Sequence, residues 1–104
     1  MRVTGLPPYD PGNIFARILR SEIPCKRVHE DEYALAFHDI NPQTPVHVLV
    51  IPKGAYVSHA DFSANATDAE IAGFWRVVGK VARDLGLEAT GYRILSNMGE
   101  DGGQ

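Results

Sequence analysis

Two side chains of complementary chemistry bracket one short bridge: Asp39 ends an apolar run, and His47 stands at the head of the next one. Between them, residues 41–45 carry Pro42 and Pro45. A connection of that length suits an antiparallel turn, and the prolines stiffen it. Both groups would then emerge at the same end of neighbouring strands. A carboxylate accepts hydrogen bonds from hydroxyls and an imidazole can face phosphate, so the two would stand within a nucleotide's length of each other. Plainer readings stand beside this one. An aspartate before Asn41 and Pro42 is a good turn former, and a histidine at a strand end often bonds a loop carbonyl.

The elements that must hold these groups can be read from spacing. Residues 46–51 form an apolar, β-branched run between two prolines, which predicts a central strand buried on both faces. Alternation places His47, Leu49 and Ile51 on one face and Val46, Val48 and Val50 on the other. Residues 33–40 predict a second strand, with Tyr33, Leu35, Phe37 and Asp39 opposed to Ala34, Ala36, His38 and Ile40. Residues 26–32, polar around Val28, predict a charged edge strand with His29 toward solvent.

Asn13 offers a cap for a short helix bearing Ile14, Phe15, Ile18 and Leu19, stopped by Pro24. Ordinary core packing accounts for such a stripe. Before it, residues 1–12 contain three prolines and two glycines and predict a flexible arm. Thr67 and Glu70 match a capping box, opening a helix whose apolar positions Ile71, Phe74, Trp75, Val78, Val81, Ala82 and Leu85 recur at helical spacing until Gly86. Gly73 and Gly79 inside it cost about 1 kcal/mol each relative to alanine, which points to close packing on the sheet or on a two-fold partner. Residues 54–66 predict a connecting loop. Residues 92–97 predict a last strand, and the glycine-rich residues 98–104 either turn N–H groups toward an anion or form a disordered end.

The totals narrow the classes. A chain of 104 residues is one small domain with a modest core. A net charge of -3 with dispersed cations disfavours nucleic-acid binding but leaves room for a small phosphorylated ligand. The single Cys25 allows no internal disulfide and no paired-cysteine metal site, which fits a reducing compartment. No run approaches the length of a membrane span, and no signal core follows Arg2, so the expectation is a soluble, cytoplasmic protein without membrane contact.

Taken together, residues 13–24, 36–42, 45–53 and 96–104 resemble, in order and spacing, the histidine triad (HIT) superfamily, Hint branch. The resemblance covers residues 13–104 as one domain. It implies an α+β fold of α-β3-α-β2 type with an antiparallel sheet. It further implies a homodimer that binds a purine nucleoside monophosphate or phosphoramidate and hydrolyses such α-phosphate linkages without a cofactor. Carried over by position, Ile14, Phe15, Ile18, Phe37 and Leu49 correspond to the base pocket. His38, Asp39 and Ile40 correspond to the ribose-binding run, with Asp39 accepting from the ribose hydroxyls. His47, Asn97, Gly103 and Gln104 correspond to the phosphate end, where His47 is the catalytic candidate.

Two departures go with the resemblance. Asn13 and Ala16 stand where many relatives carry the cysteines of a structural zinc site, so no such metal is expected. None of His29, His38, His47 and His59 corresponds to the family nucleophile, which attacks the α-phosphorus to give a nucleotidyl-histidine intermediate. That histidine belongs to a His-x-His-x-His segment expected just beyond Gln104, on a strand between residues 46–51 and 92–97. The expectation is therefore a longer natural protein that is an active hydrolase and a 104-residue piece that is inactive alone. The rival readings are a nucleotide-binding module without turnover and a dimeric scaffold. Metal binding by His38, His47 and His59 matches no zinc spacing.

Overall fold

A computed structural model of the chain describes residues 5–39, 45–99 and 101. Its order is α1 (Ile14–Leu19), β1 (Arg27–Glu30), β2 (Ala34–His38), β3 (Val48–Pro52), α2 (His59–Asn65), α3 (Asp68–Asp84) and α4 (Leu87–Thr90). The strands form one antiparallel sheet in the order β1-β2-β3. This is a mixed α and β fold, as the sequence predicts. Among the described residues no helix is long and apolar enough to cross a membrane.

The β2–β3 ladder pairs Leu35 with Ile51, Phe37 with Leu49 and His38 with Val48. Because side chains alternate across a pleated sheet, this register builds two distinct faces. On one face Ala34 and Ala36 pack with Val77 and Val81 of α3, flanked by Val28, Val48, Val50, Phe74 and Leu85. On the other, Leu35 and Phe37 pack with Ile18 of α1, flanked by Leu19, Ile23, Cys25, Leu49 and Ile51. The small alanines of β2 let the long helix lie close. Leu35 is the largest fully buried side chain, contributing about 1.5 to 3 kcal/mol of transfer free energy.

Local signals account for the helix ends. Asn13 Oδ1 accepts from the Ala16 N–H at 2.9 Å. Thr67 and Glu70 close both halves of a capping box on α3. Gly86 adopts a left-handed φ of 73° just after that helix, where the absent Cβ removes the usual penalty. The first helix ends at Leu19 rather than running to Pro24. Ser21 takes φ 62°, while its N–H reaches the Ile18 carbonyl and that of Glu22 the Arg17 carbonyl. These two bonds close a Schellman motif with serine in the glycine position.

Several expectations are corrected by the sheet. Strand β2, not β3, is central: Ala34, Leu35, Ala36 and Phe37 are buried, whereas all of β3 is only partly so. Among the described residues β3 has a sheet neighbour on one edge alone. Residues 92–97 carry no strand pairing, and Tyr92, Ile94 and Leu95 are exposed. A strand exists only where a neighbouring backbone completes its ladder, and none of the described strands pairs with this segment. Edge strand β1 is shorter than predicted and bulged between Arg27 and His29. His29 does not simply face solvent: its Nε2 lies 3.2 Å from Asp31 Oδ2.

Two further corrections concern helices. Residues 54–66 contain α2, capped by Ser58, whose Oγ accepts from the Asp61 N–H. Asp61 in turn accepts from the Val57 N–H at 2.8 Å. Trp75 is exposed rather than in the core, touching Phe74 edge-on at the rim of an aromatic series that runs through Phe62 to Tyr56.

Candidate functional site

Register places the candidate acid and imidazole before any side-chain contact is considered. The pairing of His38 with Val48 continues one step outward, where the Asp39 N–H donates to the His47 carbonyl at 3.0 Å. Asp39 and His47 are thus directly opposed at the open end of the ladder. Their side chains meet as well: Asp39 Oδ2 lies 3.3 Å from His47 Nδ1, with the two side chains 20% and 31% exposed. Partial exposure leaves the pair sheltered yet reachable by a solute.

The same register puts this pair on the α1 side of the sheet. Asp39 follows Leu35 and Phe37 at two-residue steps, and His47 precedes Leu49 and Ile51 likewise. Behind the polar pair therefore lies the apolar group of Ile18, Phe37 and Leu49. Ile18 and Phe37 are buried, while Ile14 and Phe15 on the same helix stay 53% and 42% exposed. Of the five residues assigned to a base pocket, three are packed together and two stand out from the helix that carries one of them.

Other assigned residues fall elsewhere. The pleat turns the exposed His38 side chain to the α3 face, away from Asp39. Its backbone shares the strand end with the pair, and its imidazole lies on the opposite face, as the alternation predicts. Asn97 is exposed in the segment without strand pairing. Ile40, Gly103 and Gln104 lie outside the described residues. His59, the first residue of α2, is exposed. Among the described residues no group of three or more His, Cys, Asp or Glu could hold a metal ion.

Sequence reasoning missed the network at the other end of β3. Tyr56 Oη donates to Glu70 Oε1 at 2.9 Å and lies 3.0 Å from Oε2. The Thr67 backbone N–H and then the Tyr56 hydroxyl hold the Glu70 carboxyl below its usual range, and the same bond to Glu70 raises Tyr56. Asp31 is also lowered: burial works against the charge, but N–H groups of Tyr33 and Ala34 and the His29 ring outweigh it. The readable signal for α2 was Ser58 three residues before Asp61, an N-cap spacing.

Comparison with known proteins agrees with this architecture. The family model described as HIT domain matches residues 20–104. A 13.2 kDa HIT-like protein of Azospirillum brasilense is 71% identical over 96 residues, covering 92% of this chain and 79% of the relative. A maize protein named 14 kDa zinc-binding protein is 45% identical over 96 residues, covering 91% and 74%. Among solved structures, a HIT family hydrolase from Legionella pneumophila superposes with a TM-score of 0.78 at 40% identity, covering 88% of this chain and 80% of that one. A histidine triad protein from Clostridium difficile gives 0.75 at 41%, covering 88% and 78%.

Proposed function

The chain belongs to the HIT domain family, and from that premise we propose that the intact protein is a Hint-like hydrolase of purine nucleoside phosphoramidates and related α-phosphate linkages. The observation that carries the proposal is the Asp39–His47 pair, 3.3 Å apart at one sheet end, above the Ile18, Phe37 and Leu49 cluster. Solved relatives named as hydrolases support the reaction class.

In this reading the exposed Ile14 and Phe15, with Ile18, Phe37 and Leu49, receive the purine. Asp39 accepts from the ribose hydroxyls, and His47 faces the phosphate. A triad histidine attacks the α-phosphorus as the P–N bond breaks, the departing amine takes a proton, and water then releases the nucleotide from the histidine. Nucleophilic catalysis of this kind divides one hard displacement into two easier ones. By the resemblance, none of the four histidines of the present sequence corresponds to that nucleophile.

A second reading, for these 104 residues by themselves, is a nucleotide-binding module without turnover. Incubation of the intact protein with an adenosine phosphoramidate, beside calorimetry of the 104 residues with AMP, tests both. AMP release by the intact protein is expected, together with binding but no turnover by the short chain. Absence of release where a HIT hydrolase is active would rule out the phosphoramidase reading, and absence of binding would leave only a scaffold. A two-fold homodimer belongs to the same proposal, and sedimentation at micromolar concentration decides it.

A further inference from the structure

A six-residue helix cannot hold itself in water, because nucleation alone is costly and few backbone bonds repay it. Helix α1 therefore depends on what ties its ends. At its C-terminal side the Schellman motif closes on Ser21 and Glu22, and Arg20 Nη1 reaches back to the Pro11 carbonyl at 2.7 Å. At its N-terminal side Asn13 caps Ala16, and its own N–H is bonded to the Asp10 carbonyl at 3.1 Å. Asp10 also accepts from the Gly12 N–H at 2.8 Å. Residues 10–20 thus make one hydrogen-bonded unit, seated on the sheet through Ile18 and in need of a second anchor to fix its entry end.

The far end of the preceding segment supplies one. Gly5 is buried, and its carbonyl accepts from Ser58 Oγ at 2.5 Å across 53 residues of sequence. The same hydroxyl oxygen caps α2 by accepting from the Asp61 N–H. One serine therefore performs two tasks, donating to the arm and accepting from the helix. Residues 5–9 link the start of α2 to the start of α1.

We propose that residues 5–13 form a strap whose attachment to Ser58 sets the position of α1, making Ser58 and Arg20 positioning residues for the Ile14 and Phe15 edge of the site. Its effect on ligand rests on the nucleotide reading above, but the strap itself does not. Loosening it lets α1 open locally, so the apolar edge meets a ligand less often and binding weakens while any chemical step is spared.

Ser58 can be altered so that its two tasks separate. Ser58→Asp keeps a capping oxygen for Asp61 but cannot donate to the Gly5 carbonyl, whereas Ser58→Thr keeps both functions. A deletion of residues 1–6 removes the acceptor while leaving the α2 cap untouched. Native-state hydrogen exchange then reads α1 directly through the Arg17 and Arg20 amides, with α3 amides as the internal reference. Ser58→Asp and the deletion should each speed α1 exchange by about 3- to 10-fold, the worth of one hydrogen bond, while Ser58→Thr leaves it unchanged. Unchanged α1 exchange in the deletion, or equal acceleration by Ser58→Thr, would overturn the strap. For the intact protein, KM for an adenosine phosphoramidate should rise in Ser58→Asp with kcat retained. If the wild type shows no turnover, the nucleotide reading fails and the exchange data still decide the strap.

Discussion

Asp39 and His47 hold each other twice, through a backbone bond of 3.0 Å from the aspartate N–H to the histidine carbonyl and a side-chain contact of 3.3 Å between Oδ2 and Nδ1. The backbone bond fixes the register, and the side-chain contact orients the carboxylate. If Asp39 receives ribose, Asp39→Asn should raise the dissociation constant for AMP by about 10-fold, since hydrogen bonds to charged groups are worth about 1.5 to 3 kcal/mol. It should affect 2′,3′-dideoxy-AMP far less. Calorimetry with both ligands checks this, and equal losses for the two would remove the ribose role.

The two glycines inside α3 should respond to alanine in opposite directions. A Cβ at Gly73 would fall 2.3 to 2.6 Å from carbons of the Tyr33 ring, while one at Gly79 would meet only the end of the Arg83 side chain at 3.4 Å. Gly73→Ala is expected to destabilise by about 1 to 3 kcal/mol through overpacking. Gly79→Ala should stabilise by up to about 1 kcal/mol through helix propensity. Urea unfolding of both variants supplies the comparison.

The core should be most sensitive in the middle strand. Leu35 is fully buried, so Leu35→Ala is expected to cost about 2 to 5 kcal/mol. Leu49 on partly buried β3 should cost clearly less when shortened to alanine. Thermal melts showing the reverse order would contradict the central place of β2.

Stability should depend on pH through the Tyr56–Glu70 bond. Because the Thr67 N–H and the Tyr56 hydroxyl depress the Glu70 carboxyl in the fold, its contribution is present above the unfolded glutamate value. It is lost as pH falls through the lower folded one. Tyr56 is raised, first by its bond to Glu70, so its contribution is present below the unfolded tyrosine value and is lost as pH climbs through the higher folded one. Tyr56→Phe should flatten the alkaline decline, and Glu70→Gln should reduce the acid one alongside the remaining share of Asp31. Melting temperatures from pH 3 to 11 are the measurement.

What could be read before any coordinates were those features whose hydrogen bonds close locally. Thr67 and Glu70 announce α3 because each satisfies a backbone N–H within three residues, and Asn13 announces α1 in the same way. The bridge with its two prolines also predicted that Asp39 and His47 emerge at the same end of neighbouring strands, as their backbone bond shows. Ser58 and Asp61 offered an equally local signal for α2, hidden among residues that commonly form loops.

The remainder was decided across the chain, where sequence neighbours carry no information about partners. Alternation alone could not say that β2 is sandwiched between α1 and α3, because burial depends on which element covers each face. Residues 92–97 have the residue types of a strand, yet a strand also requires a neighbouring backbone, and the described sheet gives them none. Gly5 seats its carbonyl on Ser58 across 53 residues, a contact that exists only once the helices and sheet have brought the two together.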